Sequence, residues 1–228
     1  MPASRNPSLV CVVDGDAVAR DGVFQMLDAA GFTVRTYWSA KHFLSDHIPE
    51  NGCLIADVCL PGLGGPELLE TLSGRGIDVP VIFTAGHADL ALAVRVMKAG
   101  AADFLLKPFD AEKIVASVED ALKAGWKARQ RAAQTRLARD TLALLTPRER
   151  HVLEQLLKGH SNKVAAHALG ISMRTVEFHR AHIMEKLGAR SMPDLLRVAL
   201  TAEQAEDRPA LRAMEGPAAP RRRATAKH

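Results

Sequence analysis

The sequence predicts two folded units of different class: a five-stranded, doubly wound parallel α/β sheet, followed by a separate all-α unit of four helices. Three observations carry this. Short apolar runs alternate with helical patterns over residues 8–125, which is the signature of a parallel sheet with helices on both faces. Strand signals stop after residue 126, where every patterned segment has helical periodicity. The charge balance also reverses between the halves: residues 1–125 carry 10 Lys+Arg against 16 Asp+Glu, a net of −6, and residues 126–228 carry 20 against 10, a net of +10.

The strand-like runs, in order, are "SLVCVV", "TVRTY", "CLIAD", "VPVIFT" and "DFLL". Each is short, rich in β-branched or aromatic residues, and bounded by turn formers. Between and after them, helices are expected at Ala17–Ala30, Ser39–His47, Pro66–Ser73, Asp89–Ala99 and Ala111–Gly125, with Gly31, Gly74 and Gly100 marking helix ends. The stretch "WKARQRAAQTRLARDT" from Trp126 is rich in Ala, Arg and Gln and reads as an exposed helical linker. The expected domains are therefore residues 1–125, a linker over 126–143, a second domain over 144–202, and a disordered basic tail over 203–228 ending "RRRATAKH".

In the second domain helices are expected at 147–158, 162–169, 173–187 and 192–201. Thr146 is a natural N-cap, Pro147 suits the first helical position, and Glu149 stands at capping-box spacing. Ser161 and Ser172 cap the next two helices, and Gly170 lies in the tight turn between them, giving a helix-turn-helix. On the third helix Val176, His179, Ile183 and Leu187 recur at three- and four-residue steps and should face inward. Arg174, Glu177, Phe178, Ala181 and Glu185 lie on the other faces. An exposed Phe178 suits apolar contact with thymine methyls and Glu177 can accept from cytosine N4, whereas Asn162, Lys163, Arg174 and Arg180 suit phosphate contacts. Core packing is the bland alternative for Phe178, as a solvated face is for the basic linker.

Composition excludes several classes. No run approaches the ~18–20 apolar residues of a membrane span, and the start "MPASRNPS" has no apolar signal core. A cytoplasmic protein is expected, with no membrane partner. Cys11, Cys53 and Cys59 are too few and too irregular for a disulfide framework or a zinc site. A basic half joined to an acidic one points to a polyanion, with double-stranded DNA favoured over an acidic protein or a membrane surface because only DNA accounts for the turn-and-cap pattern.

The chemistry of the first unit lies at its strand ends. "CVVDGDAV" places Asp14 and Asp16 beyond the first strand, "LIADVCLPGLGG" places Asp57 at the end of the third, "VIFTAG" presents Thr84, and "FLLKPF" presents Lys107. Ligands of open α/β sheets bind at this edge. A carboxylate can attack phosphorus, clustered acids can hold a divalent cation, and a lysine and a hydroxyl can contact the remaining phosphoryl oxygens.

With this order of residues, 8–125 resembles a response-regulator receiver domain of flavodoxin-like fold. The resemblance implies Asp57 as phospho-acceptor, Thr84 as switch hydroxyl, Phe104 as aromatic switch, Lys107 as the site lysine, and a cis peptide at Lys107–Pro108. It also implies Mg²⁺ held by Asp14, Asp57 and the backbone carbonyl of Cys59. Where the family usually has adjacent acids, this chain has Asp14 followed by Gly15, which lowers the expected metal affinity; Asp16, freed by the glycine, is a candidate substitute ligand. Weakened phosphorylation, phosphorylation by a rearranged site, and loss of phosphorylation all stay open.

Residues 145–201 resemble a LuxR-type helix-turn-helix, and "RTVEFHRAHIMEKL" is similar to the recognition helix of FixJ-like two-component regulators. That resemblance implies Glu177, Phe178 and Ala181 toward bases, and Asn162, Lys163, Arg174, Thr175 and Arg180 within the DNA-binding surface. The implied protein is a transcriptional regulator rather than an enzyme. Its implied partners are a sensor histidine kinase, double-stranded DNA, and a second copy docked through the fourth-helix, fifth-strand, fifth-helix face. Two rival readings remain: a phosphorylation-independent regulator with a degenerate receiver, and a haloacid-dehalogenase-type phosphotransferase with Asp14 as nucleophile and Asp16 as acid/base. The second leaves Asp57 without a role.

Overall fold

A computed structural model describes residues 9–46, 51–87 and 89–203. The basic tail and the predicted helix end at His47 lie outside the described residues. The chain divides into two compact units, the first ending at Arg129 and the second beginning at Gln130.

In the first unit β1 (Leu9–Val13), β2 (Thr33–Tyr37), β3 (Cys53–Asp57), β4 (Val81–Ala85) and β5 (Asp103–Leu106) form one parallel sheet in the order β2-β1-β3-β4-β5. Five helices connect and follow them: α1 (Ala17–Ala29), α2 (Ala40–Ser45), α3 (Gly65–Gly74), α4 (Leu90–Lys98) and α5 (Ala111–Ala143), whose residues from Gln130 belong to the second unit. Alternation along the strands splits the interior in two. Val10, Val12, Ile55, Ile82 and Leu105 meet Val23 and Leu27 of α1 and Ile114 and Val118 of α5. Cys11, Val13, Ala56 and Phe83 meet Phe43, Leu68 and Val96 of α2, α3 and α4. Both faces of the sheet are therefore covered, as β1, β3 and β4 require, since nearly every residue in them is buried.

Two boundaries differ from the sequence reading. Gly74 stays within α3, and the left-handed turn falls on Gly76 (φ 70°). Gly31 and Gly100 do take positive φ, at 84° and 101°. The linker is not a separate helix, because α5 runs unbroken from Ala111 to Ala143. An isolated glycine costs a helix only ~1 kcal/mol, and no proline follows Gly125 to end it. A Cβ at Gly125 would also stand 3.3 Å from Pro80 Cγ and Cδ, so the bare backbone serves a close approach there.

The second unit holds α6 (Pro147–Leu157), α7 (Asn162–Leu169), α8 (Met173–Lys186) and α9 (Met192–Glu203). The predicted capping box forms: Thr146 Oγ1 accepts from the Glu149 N–H, and the Glu149 carboxylate accepts from the Thr146 N–H. Ser161 and Ser172 accept from the N–H groups three residues on, and Gly170 is left-handed (φ 64°) in the turn between α7 and α8. Val152, Leu156, Ala165, Val176, Ile183 and Leu195 make the core. His179, expected inward with Val176 and Ile183, is only partly buried. No helix among the described residues is long and apolar enough to cross a membrane.

Candidate functional site: an acid–lysine cluster and a helix surface

Parallel pairing brings the tips of β1, β3, β4 and β5 to one edge of the sheet. Asp14 follows β1, its N–H donating to the Tyr37 carbonyl at 3.1 Å. Asp57 ends β3 directly opposite Thr84 of β4, and the Val58 N–H donates to the Thr84 carbonyl at 2.9 Å. Lys107 leaves β5 with its N–H on the Ala85 carbonyl, and the Lys107–Pro108 peptide is cis.

These placements bring the lysine between the two acids. Lys107 Nζ donates to Asp14 Oδ2 and to Asp57 Oδ2, each at 2.6 Å. The Asp14 side chain is 6% exposed, Asp57 18% and Lys107 22%, so the pairs are shielded while the Asp57 carboxylate stays within reach of solvent. Desolvation works against the ammonium, but the hydrogen bonds and charges of Asp14 and Asp57 outweigh it, and Lys107 titrates above the ordinary lysine range. The remaining oxygens are also engaged: Asp57 Oδ1 accepts from the Cys59 N–H at 2.7 Å, and Asp14 Oδ1 accepts from the Asp16 N–H at 2.9 Å. Thr84 is buried beside Asp57 in the sheet register. Phe104 is partly buried against the α2–α3–α4 core.

Asp16 departs from the expectation that it swings toward the cluster. It is exposed and caps α1, its Oδ1 accepting from the Val18 N–H at 2.8 Å and the Ala19 N–H at 3.4 Å. A carboxylate at this position satisfies helix-terminal donors and complements the positive end of the dipole, a local reward that an inward turn would forfeit. The sequence reading missed Arg20, whose guanidinium donates to the Asp14 carbonyl at 2.8 Å. Of the cysteines, Cys11 and Cys53 are buried, burial pushing Cys53 up to about 12, and Cys59 is exposed.

On α8 the structure places Arg174, Glu177, Phe178 and Ala181 on the exposed surface, with Phe178 60% exposed; this excludes core packing for its ring. Phe178 instead packs against His182, with ring centroids 4.2 Å apart and planes tilted by 47°. Thr175 shares a 2.8 Å hydroxyl bond with Ser172. Arg180 reaches Asn162 Oδ1 of α7 at 3.4 Å, and Lys163 is exposed next to it in sequence. Two further residues support this surface and carried no readable sequence signal for it. Arg148 of α6 donates to the Leu169 carbonyl at 2.9 Å, tying α6 to the turn before α8. Lys186 in the last turn of α8 donates to both oxygens of Glu149, at 2.7 and 3.0 Å. The hydrogen bond from Lys186, with those from Thr146, holds the Glu149 carboxyl down at about 2.

A parallel sheet with a lysine-bridged pair of carboxylates at its edge, followed by a helix-turn-helix unit with an exposed third helix, defines a signal-receiving transcription regulator. Comparison with known proteins agrees. Residues 10–119 match the response regulator receiver domain family, and residues 143–199 match the luxR family of bacterial regulatory proteins. The transcriptional regulatory protein FixJ of Azorhizobium caulinodans is 44% identical over 195 residues, spanning 85% of this chain and 92% of that protein. FixJ of Bradyrhizobium diazoefficiens is 40% identical over 200 residues, spanning 87% and 97%. Among solved structures, the response regulator StyR superposes with a TM-score of 0.73 at 38% identity, covering 85% of this chain and 98% of that one. The chain belongs to the two-component response regulators, with a receiver domain followed by a LuxR-type DNA-binding domain, and it is a transcription regulator of that family.

Proposed function

We propose that Asp57 accepts a phosphoryl group from a sensor histidine kinase and that this controls binding of α8 to DNA. The observation that supports it most directly is the bridge from Lys107 to both Asp14 and Asp57. A lysine so placed holds a solvent-accessible carboxylate in position by a direct hydrogen bond, and faces the oxygens of an incoming phosphoryl group. In the transfer an Asp57 carboxylate oxygen attacks phosphorus, the bond from phosphorus to the kinase histidine nitrogen breaks, and the imidazole leaves with the electron pair. Receiver domains as a class bind Mg²⁺ at this site. Asp14, Asp57 and the Cys59 carbonyl are the residues that would hold it here, and when bound it neutralises charge on the phosphoryl oxygens.

Thr84, the register partner of Asp57 in the sheet, donates its hydroxyl to the phosphoryl group in this reading. Phe104, packed partly in the interior, is the aromatic that responds. Together they bias two arrangements of the α4–β5–α5 face. That face carries exposed Leu90, Val94 and Met97 at successive turns of α4, and Leu106 of β5, an apolar stripe suited to a second copy of the chain. Dimerisation presents two α8 helices to adjacent half-sites and multiplies the affinity of one. Glu177, Phe178 and Ala181 face base edges in the major groove; Asn162, Lys163, Arg174, Thr175 and Arg180 meet the backbone. The protein acts in the cytoplasm, where kinase and DNA meet.

The test is labelling by acetyl phosphate with Mg²⁺ on a phosphate-affinity gel. The wild type gives a shifted band and Asp57→Asn gives none. Dimer mass and DNA affinity, measured on the same samples, rise together with the shifted fraction. A band of equal strength in Asp57→Asn overturns the assignment of the acceptor, and affinity that ignores the shift overturns the control.

A further inference from the structure

The following rests on the phosphoacceptor reading and deepens it at the metal. Residue 15 sits in the β1–α1 loop immediately after Asp14, and a Cβ built there would meet Pro61 Cδ, in the β3–α3 loop beyond Asp57, at 4.0 Å. A side chain at position 15 therefore lies between the two loops that carry the paired carboxylates. Nothing in the fold demands glycine there. The space is open, the residue is exposed, and its backbone is not left-handed, unlike Gly62 in the neighbouring loop (φ 78°). The missing side chain is thus a property of the site and not of the chain path.

No other residue fills the gap. Asp16 is committed to the α1 cap. Among the described residues no group of three or more His, Cys, Asp or Glu side chains is gathered as a metal site. The cluster holds two carboxylates and one ammonium, a net of −1, and the Arg20 guanidinium at the Asp14 carbonyl offsets that remaining negative charge. Hard divalent cations are bound by oxygen ligands, and the number of charged ligands sets the affinity.

We propose that Gly15 makes this receiver a two-carboxylate, low-affinity magnesium site, so that phosphorylation of Asp57 follows the free magnesium concentration over a range where a three-carboxylate site is already filled. Loss of even a supporting residue costs a metal site about 10–100-fold in affinity, and an absent ligand costs at least the lower end of that range.

The experiment is calorimetric titration of the full-length protein with MgCl₂ alone, without phosphodonor, for the wild type, Gly15→Asp, Asp14→Asn and Asp16→Asn. Gly15→Asp is expected to tighten binding by about ten-fold or more, Asp14→Asn to abolish it, and Asp16→Asn, which keeps a capping side chain, to leave the wild-type isotherm unchanged. Equal affinities in wild type and Gly15→Asp overturn the proposal. So does an Asp16→Asn variant that loses as much as Asp14→Asn, an outcome that needs no change at position 15 and decides the matter if Gly15→Asp fails to fold. Because the titration involves no phosphoryl transfer, its outcome is separate from the Asp57→Asn labelling that tests the acceptor.

Discussion

Lys107 meets Asp14 and Asp57 across 93 and 50 residues of chain, whereas Arg174, Glu177, Phe178 and Ala181 follow one another on two turns of α8. The first group exists only when β1, β3, β4 and β5 lie in register. The second exists as soon as the helix does, and the rest of its unit serves to hold that helix at the surface. The acid–lysine cluster is therefore a property of tertiary structure, while the exposed face of α8 is a local sequence displayed by a small core. Perturbations should divide along the same line.

The largest expected effect is from Ile183→Ala. Ile183 is fully buried on the inward face of α8, and its truncation should destabilise the effector unit by about 2–5 kcal/mol. Urea unfolding followed by circular dichroism measures the loss, and DNA binding should fall with it. Labelling of Asp57 by acetyl phosphate should remain at the wild-type level, because the hydrogen bonds that build the cluster run among Asp14, Asp16, Asp57, Cys59 and Lys107 of the first unit. Labelling that falls in parallel would break the comparison, showing that the two units do not hold their sites separately.

What was readable in advance follows the same division. Periodicity and end signals located the strands and the effector helices, and the caps at Thr146, Ser161 and Ser172 formed as their spacing required. The strand-end residues 14, 57, 84 and 107 were readable because a parallel sheet places every strand tip at one edge. The unread features depend on partners distant in the chain. Lys186 on Glu149 is separated by 37 residues and Arg148 on the Leu169 carbonyl by 21, and neither spacing has a sequence signature. Asp16 departs from expectation for the opposite reason: its partners are local, the Val18 and Ala19 N–H groups two and three residues on. The helix from Ala111 was expected to close at Gly125 before a helical linker, but one glycine in an Ala- and Arg-rich run does not outweigh the helix on either side.

Smaller than the core truncation is the effect at Glu149. Its carboxyl is buried, bonded to Lys186 and to the Thr146 N–H, and held at about 2, well below the ordinary glutamate range. A depressed carboxyl stabilises the fold fully above its unfolded value near 4.5 and loses that contribution as pH falls toward 2. The wild type should therefore lose more stability than Glu149→Gln between pH 6 and 3, and the two melting curves should converge on acidification. The difference stays below the about 3–5 kcal/mol of a fully buried broken pair, because Lys186 is a third exposed and partly screened. Parallel pH profiles for the two proteins would remove Glu149 as the anchor of α8.

The smallest effects, and the sharpest for function, come from exchanging single side chains on the α8 surface. Glu177 and Arg174 are both exposed and three residues apart, yet they should fail differently. A carboxylate that accepts from cytosine N4 discriminates between bases. Glu177→Ala should thus cost about 1–3 kcal/mol on the preferred site, little on other sequences, and should relax the choice at one position. A guanidinium on a phosphate releases counterions and reads nothing, so Arg174→Ala should weaken binding to all duplexes alike and lower the slope of log K against log salt by about 1. Titrations of specific and scrambled duplexes at several salt concentrations separate the two signatures. If Glu177→Ala weakens both duplexes equally, Glu177 does not face the bases, and α8 sits in the groove with a different edge inward. Its local sequence would then display the reading surface without specifying which side of the helix the DNA meets, and that choice would pass to the contacts that orient α8, Arg148 on the turn and Lys186 on Glu149.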